Sequence, residues 1–170
     1  MKKSSRVPRE IERKFLVAGD SWREGADRGE ELRQAYLAAT DRVSVRVRII
    51  DNARAVITIK SAQPGLARQE YEYAIPVPDA LAMADMRLGS LLQKTRFRSV
   101  HAGRTWEVDV YSGENIGLVI AEVELDSEDA AVDLPRWVGR EVTGEERYYA
   151  SRLAVRPFSG WREAASGGGS

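Results

Sequence analysis

The feature that most constrains the fold of this chain is an alternation of charged and apolar side chains that recurs in seven short segments. Successive side chains of a β-strand point to opposite faces of the sheet, so residues two apart share a face. In the first segment, Glu10, Glu12 and Lys14 would share one face, whereas Ile11 and Phe15 would lie on the other. The alternation therefore predicts β-strands with one charged face and one mostly apolar face.

Both signs of charge occupy these faces. The other six segments carry Arg46 with Arg48, Thr58 with Lys60, Glu70 with Glu72, Lys94 with Arg96, Glu107 with Asp109, and Glu122 with Glu124. One interpretation is the solvent-exposed side of an ordinary antiparallel sheet. However, the Ser, Asn and Gln residues that usually dilute such a surface are scarce at these positions. We therefore predict an α+β fold, in which an antiparallel β-barrel encloses a polar tunnel and short helices cover its apolar outer face.

Several segments between the predicted strands carry helix signals. Residues 78–89 begin with Pro-Asp and end at a glycine. Residues 145–155 form an amphipathic pattern that ends before Pro157, and residues 127–130 have the features of a short capped helix. These segments are the predicted outer cover of the barrel.

The length of the chain, 170 residues, suits one hydrophobic core rather than two. We expect an N-terminal tail over residues 1–8 and a single domain over residues 9–163. Residues 164–170 are rich in Gly and Ser and are expected to form a flexible or engineered tail.

The composition narrows the classes of function. The 26 basic and 26 acidic residues cancel, so net charge does not indicate binding to nucleic acid or to a membrane surface. The absence of cysteine excludes disulfides, thiolate zinc sites and thiol nucleophiles, and the single histidine, His101, lies in a predicted turn. The sequence shows no apolar segment that could span a bilayer or serve as an export signal, so we expect a cytoplasmic protein.

The charges that the barrel would gather suit a polyphosphate and a metal ion. The cations are Lys14, Arg46, Arg48, Lys60, Lys94 and Arg96. A guanidinium group pairs with two phosphate oxygens at once, and a lysine adds a point charge. The carboxylates would repel such a ligand unless a divalent cation lies between them. The alternative is that the two signs only neutralise each other in buried ion pairs, which are costly to desolvate without a ligand.

In their order and spacing, these motifs resemble those of the CYTH superfamily, the triphosphate tunnel metalloenzymes. The resemblance extends from about Glu10 to Trp161. Residues 34–37, 106–110 and 141–148 are similar to the short bacterial branch, whose members are commonly inorganic triphosphatases. The resemblance implies an eight-stranded antiparallel tunnel that uses Mg²⁺ or Mn²⁺ to hydrolyse tripolyphosphate to pyrophosphate and phosphate.

The resemblance also implies a role for each motif residue. The phosphate-binding residues would be Arg46, Arg48, Lys60, Lys94 and Arg96, with Arg147 contributing from the C-terminal helix. The carboxylates that hold metal and water would be Glu10, Glu12, Asp109, Glu122 and Glu124, while Glu70, Glu72 and Glu107 would line the tunnel. Lys14 and Tyr36 resemble a catalytic pair that orders the nucleophile; the other interpretation of Tyr36 is a strand aromatic that packs outward.

The chain departs from the family pattern at one place, and other functions stay open. Tyr149 and Ala150 follow Arg147 and Tyr148, where family members often have a lysine or asparagine. The same tunnel could act on a nucleoside or thiamine triphosphate, or cyclise ATP to cyclic AMP. A non-catalytic polyphosphate-binding module would need the cations but neither Lys14 nor the metal carboxylates, and their joint presence favours an enzyme. The sequence leaves open whether the protein forms a homodimer.

Overall fold

The structure, a computed structural model, describes residues 9–62 and 67–161. The expected N-terminal tail, residues 1–8, and the expected Gly/Ser tail, residues 164–170, lie outside the described residues, as do residues 162 and 163.

The described part of the chain is built mainly from β-strands. The strands are β1 (Arg9–Val17), β2 (Glu30–Ala39), β3 (Val43–Ile50), β4 (Arg54–Ser61), β5 (Ala67–Ile75), β6 (Leu92–His101), β7 (Arg104–Ser112), β8 (Val119–Glu124) and β9 (Val138–Glu141). The α-helices are α1 (Val77–Ala84) and α2 (Ala150–Val155). Short 3-10 helices occur at Ser21–Gly25, Gly113–Asn115, Glu146–Tyr148 and Phe158–Gly160.

The first eight strands form a closed antiparallel barrel, as predicted. Their order is β5-β4-β3-β2-β6-β7-β8-β1, and β1 returns to pair with β5. This closure is short, because it extends only from Arg9 opposite Gln69 to Ile11 opposite Ala67. Farther along the same edge of β1, β9 takes the place of β5, with Phe15 opposite Glu141. The ninth strand is an addition that the charge pattern did not predict.

The register of the strands brings the charged faces together inside the barrel. Lys14 lies opposite Glu122 across β1 and β8, and Arg96 lies opposite Asp109 across β6 and β7. Because side chains alternate along each strand, these pairings turn the charged positions of neighbouring strands inward and the apolar ones outward.

The apolar outer face is covered partly by α1 and partly by irregular segments. Ala80 and Ala84 of α1 pack on β2, β3 and β4. On the side formed by β1, β7 and β8, Trp106 is fully buried between Phe15 and Trp137, with ring centroids 5.6 Å from each. The prediction of a helix at residues 127–130 was wrong, because this segment forms only a turn closed by Ala130 N and Ser127 O.

One end of the barrel is closed by apolar side chains. Tyr36, Leu92, Tyr111 and Ile120 face the interior at that end and form a buried cluster with Leu153 of α2. The predicted helix over residues 145–155 is interrupted, since Tyr149 has an extended backbone (φ −69°, ψ 136°) between the 3-10 helix and α2. None of the helices in residues 9–62 and 67–161 has the length and apolar character needed to cross a membrane.

The loop after α1 makes a close backbone contact with α2. Helix α1 ends at Ala84, earlier than predicted, and Gly89 adopts a left-handed conformation with φ +61°. Ser90 N donates a 2.8 Å hydrogen bond to Ala154 O, and a Cβ atom on Gly89 would overlap that same carbonyl group. Gly89 thus permits α2 to dock at the closed end of the barrel.

We expect Gly89→Ala to lower the free energy of unfolding by about 3 kcal/mol, through left-handed strain and steric overlap together. Gly103→Ala is the matched control, because Gly103 also has a positive φ, +76°, but an added Cβ would have no neighbour within 4 Å. Its expected loss is only about 1–2 kcal/mol. Urea denaturation of both variants measures the difference, and equal losses would contradict the proposed overlap with α2.

Candidate active site

The barrel encloses a cavity of about 730 Å³ that is lined by charged side chains. All but two of the sequence-predicted site residues line it: Glu10, Glu12, Lys14, Tyr36, Arg46, Arg48, Lys60, Glu70, Glu72, Lys94, Arg96, Glu107, Glu122 and Glu124. They come from all eight strands of the barrel. The charged strand faces therefore form one site.

The two exceptions are Asp109 and Arg147. Asp109 is fully buried behind the cavity wall, where its carboxylate binds Lys94 and Arg96. Arg147 lies at a separate cavity outside the barrel, with its guanidinium carbon 4.9 Å from the ring centroid of Trp161. The structure does not bring Arg147 to the predicted phosphate site.

Asp109 holds two cations in the wall. Arg96 donates two hydrogen bonds of 2.7 Å to its carboxylate, from Nε and Nη2, and Lys94 donates a third. Burial raises the pKa of Asp109, but Arg96 and Lys94 outweigh that effect and hold the pKa below its usual value. Burial, assisted by the charge of Arg96, lowers the pKa of Lys94 to about 8 despite the opposing effect of Asp109.

Lys14 is tied to both the cavity and the backbone of the C-terminal segment. Its Nζ lies 3.0 Å from Oε1 of Glu122. Burial acts to lower the pKa of Lys14, but Glu122 and Glu12 more than offset it, so the pKa lies above its usual value. The backbone N of Lys14 donates a 2.9 Å hydrogen bond to Oγ1 of Thr143, and Val142 N donates a 2.8 Å bond to its carbonyl oxygen. The ammonium is thus charged and fixed in place.

Lys60 is surrounded by carboxylates, whereas Arg46 and Arg48 are not. Lys60 binds Glu10 and lies 3.4 Å from Glu70. Arg48 Nε instead donates to the neutral amide of Gln34 at 2.7 Å, and the buried Nε of Arg46 has no hydrogen-bond acceptor within the described ranges. Among those residues, neither arginine has a carboxylate partner within 4.0 Å. Their charge is available to a bound anion.

The structure adds lining residues that the sequence interpretation did not select. Arg68, Thr143 and Tyr149 line the cavity, and the guanidinium carbon of Arg68 is 4.8 Å from the ring centroid of Tyr149. Arg68 lies two residues before Glu70, so the same alternation could have identified it. Thr143 and Tyr149 follow the last barrel strand, and no strand pattern in the sequence marks them.

Comparison with known proteins identifies the family. A family model described as the CYTH domain matches residues 8–154. The chain belongs to the CYTH family. This CYTH domain is 42% identical over 156 residues to an inorganic triphosphatase of Acetivibrio thermocellus, covering 91% of this chain and 99% of that protein.

Two further matches agree with this assignment. This CYTH domain is 39% identical over 150 residues to an inorganic triphosphatase of Nitrosomonas europaea, covering 86% of this chain and 97% of that protein. A crystal structure of an inorganic triphosphatase matches the fold with a TM-score of 0.63 and 37% identity, covering 86% of this chain and 97% of that chain. The family resemblance and the barrel predicted from the sequence are both confirmed.

Membership of a metalloenzyme family implies a divalent metal ion, and three of the carboxylates that line the cavity fit one. The pKa of Glu10, Glu12 and Glu124 is raised above the usual value, first by burial and then by neighbouring carboxylates. A cation would relieve this repulsion. In residues 9–62 and 67–161 no three acidic or histidine side chains form a ready-made metal cluster.

The lowered pKa of Lys94 predicts a pH dependence of anion binding in this CYTH domain. Below about pH 8 the ammonium is protonated and attracts an anion, and above it the charge is lost. We expect the affinity for tripolyphosphate, measured by calorimetry without metal, to fall up to about tenfold per pH unit above pH 8. Lys94→Met is the control, since it should bind more weakly at pH 7 but lack this fall. Parallel pH profiles for the two proteins would show that deprotonation of Lys94 does not cause the fall in affinity.

Proposed function

We propose that this CYTH domain hydrolyses inorganic tripolyphosphate to pyrophosphate and phosphate inside its barrel. One observation carries the proposal. Arg46 and Arg48 have no carboxylate partners in the described residues, and they share a cavity with the carboxylates of Glu10, Glu12 and Glu124. A polyphosphate with a bound divalent cation is complementary to both sets of charge. The relatives named as inorganic triphosphatases support the choice of substrate.

The cations on β3 and β6, across the barrel from β1, have the role of binding the phosphate chain. Arg46 and Arg48 have no carboxylate partner among the described residues. Lys94 and Arg96 add charge in the same cavity, although Lys94 is paired with Asp109, and Arg96 with Asp109, Glu107 and Glu122. Lys60 exchanges its contact with Glu10 for a phosphate oxygen. Because the closed end of the barrel is apolar, the substrate lies in the charged section and water from that end is excluded.

The carboxylates on β1 and β8 have the role of holding the metal. Glu10, Glu12 and Glu124 would bind Mg²⁺ or Mn²⁺ together with the substrate. When bound, the ion supplies positive charge that offsets the charge of the phosphate oxygens. Asp109 is not in this group, because it is buried and already binds two cations.

Lys14 and Glu122 have the role of positioning the attacking water. The carboxylate of Glu122 lies 3.0 Å from Lys14 and 3.1 Å from Arg96, which hold its pKa well below the usual value despite burial. An ionised carboxylate can accept a hydrogen bond from water and orient it toward the terminal phosphorus. Tyr36 lines the same cavity and lies opposite Arg46 in the register of β2 and β3. We assign Tyr36 to ordering the water together with Lys14.

The test is a comparison of substrates and metals. Phosphate release from tripolyphosphate, ATP and thiamine triphosphate is measured with Mg²⁺, with Mn²⁺ and after chelation, alongside tripolyphosphate binding without metal. We expect metal-dependent turnover that is fastest on tripolyphosphate. Tight binding without turnover of any substrate would instead identify a binding module, and faster turnover of a nucleotide would overturn the choice of substrate.

A further inference from the structure

Gln34 and Arg48 form a buried pair on neighbouring strands of the barrel. The two residues are directly opposite in the register of β2 and β3. The Oε1 atom of Gln34 accepts the 2.7 Å hydrogen bond from Arg48 Nε, and Gln34 is 0% exposed. Because Nε can only donate, the amide oxygen must face the guanidinium group. The amide thus fixes the direction of Arg48 without adding charge.

The neutrality of this contact distinguishes Arg48 from other cations of the cavity. Lys94 and Arg96 share Asp109. The carboxylate of Glu72, which is near Arg48, accepts a 3.0 Å hydrogen bond from the hydroxyl of buried Thr58 instead. Within the part of the chain that the structure describes, no carboxylate therefore forms an ion pair with Arg48.

Among the described residues, no group accepts a hydrogen bond from the terminal nitrogens of Arg48. A guanidinium group binds two phosphate oxygens best when both donors point the same way. Gln34 occupies Nε, so the terminal nitrogens Nη1 and Nη2 remain for an anion in the cavity that Arg48 lines. Arg46 shows the contrasting case, because its buried Nε has no acceptor among the described residues.

The NH2 group of the Gln34 amide argues against a role of this side chain in packing alone. Its Nε2 atom is buried and has no acceptor within residues 9–62 and 67–161. An unpaired buried donor is unfavourable, and an apolar side chain of similar size would fill the same space without that cost. The amide is therefore explained by its contact with Arg48.

We infer that Gln34 is a positioning residue for substrate binding: its neutral oxygen directs Arg48 toward a phosphate group and leaves the positive charge of the arginine unneutralised. The inference rests on the proposed function, in which that phosphate group belongs to tripolyphosphate.

The test uses two near-isosteric variants, each made with Arg48 present and in an Arg48→Ala background. Gln34→Met keeps the volume and removes the acceptor, and Gln34→Glu keeps the acceptor and adds a charge. We expect Gln34→Met to weaken tripolyphosphate binding, measured by calorimetry without metal, by roughly tenfold. Gln34→Glu should weaken it at least as much, because the carboxylate competes with phosphate for Arg48. In turnover, KM should rise far more than kcat falls.

The Arg48→Ala background separates positioning from a structural role. If Gln34 acts through Arg48, Gln34→Met should change affinity by less than about twofold once the arginine is absent. An undiminished effect in that background, or wild-type affinity in Gln34→Glu, would overturn the inference. Thermal unfolding checks that each variant is folded, and Gln34→Leu replaces Gln34→Met if it is not. Because affinity is read without turnover, the outcome is distinct from a failure of the proposed hydrolysis.

Discussion

Lys14→Met is expected to lower kcat for tripolyphosphate by roughly 10³-fold while changing its binding by less than about tenfold. Lys14 contacts Glu122 at 3.0 Å, and its raised pKa keeps it charged throughout the range in which the enzyme can be assayed. The ammonium orients the carboxylate that we assign to the attacking water. Its removal should therefore affect the transition state more than the bound substrate.

The fold should tolerate this change. Glu122 keeps a second cation, because Nη2 of Arg96 lies 3.1 Å from its Oε2 atom. The backbone of Lys14 is held independently of its side chain by Val142 and Thr143. A loss of activity with an unchanged unfolding transition would therefore report on chemistry rather than on stability.

Lys60→Met is the matched comparison, since it removes the same charge from another lysine that lines the same cavity. Lys60 lies among Glu10, Glu12 and Glu70 and is assigned to phosphate binding. Its loss should raise KM roughly tenfold and leave kcat within a few-fold of wild type. Steady-state kinetics with calorimetric binding measures both effects. If the two variants show the same division between kcat and KM, Lys14 has no special role in the chemical step.

The alternation of charge was sufficient to predict the barrel, for a physical reason. A shift of one residue in the register would move every charge of a strand to its apolar side, so the two faces define the pairing. Strand β2 shows the limit of this reasoning. Its inward side chains include an amide, Gln34, and a phenol, Tyr36, and an alternation of acidic and basic residues therefore did not mark them.

The spacing of residues in the sequence did not predict how deeply each side chain is buried in the barrel wall. Glu107 and Asp109 occupy equivalent positions in one strand, yet the side chain of Glu107 is 32% exposed and that of Asp109 is 0% exposed. The difference depends on how the strands close around the interior, which is a property of the whole barrel. The same holds for the C-terminal segment, where the break at Tyr149 lets Tyr148 enter the apolar cluster while Tyr149 lines the cavity. The periodicity of residues 145–155 predicted one continuous helix. It could not show that neighbouring tyrosines enter different environments.

Asp109→Asn is expected to lower the free energy of unfolding by about 3–5 kcal/mol, because within the described residues it removes the only carboxylate that binds buried Lys94 and one of three that bind Arg96. Lys94 and Arg96 are 5% and 8% exposed, and both bind this one carboxylate. Asparagine has nearly the same shape, so the loss would arise from charge rather than from a cavity. Urea denaturation at pH 7 measures the change.

Glu107→Gln is the control, because it removes the same charge from a second partner of Arg96 that is partly exposed. A partly exposed ion pair contributes about 0–1 kcal/mol, so this variant should unfold almost like wild type. Tripolyphosphate adds a further test, since an anion in the cavity can replace the missing counter-ion. It should therefore raise the unfolding temperature of Asp109→Asn more than that of wild type or Glu107→Gln. Equal stabilisation of all three proteins would show that Asp109 does not balance the cations that bind phosphate.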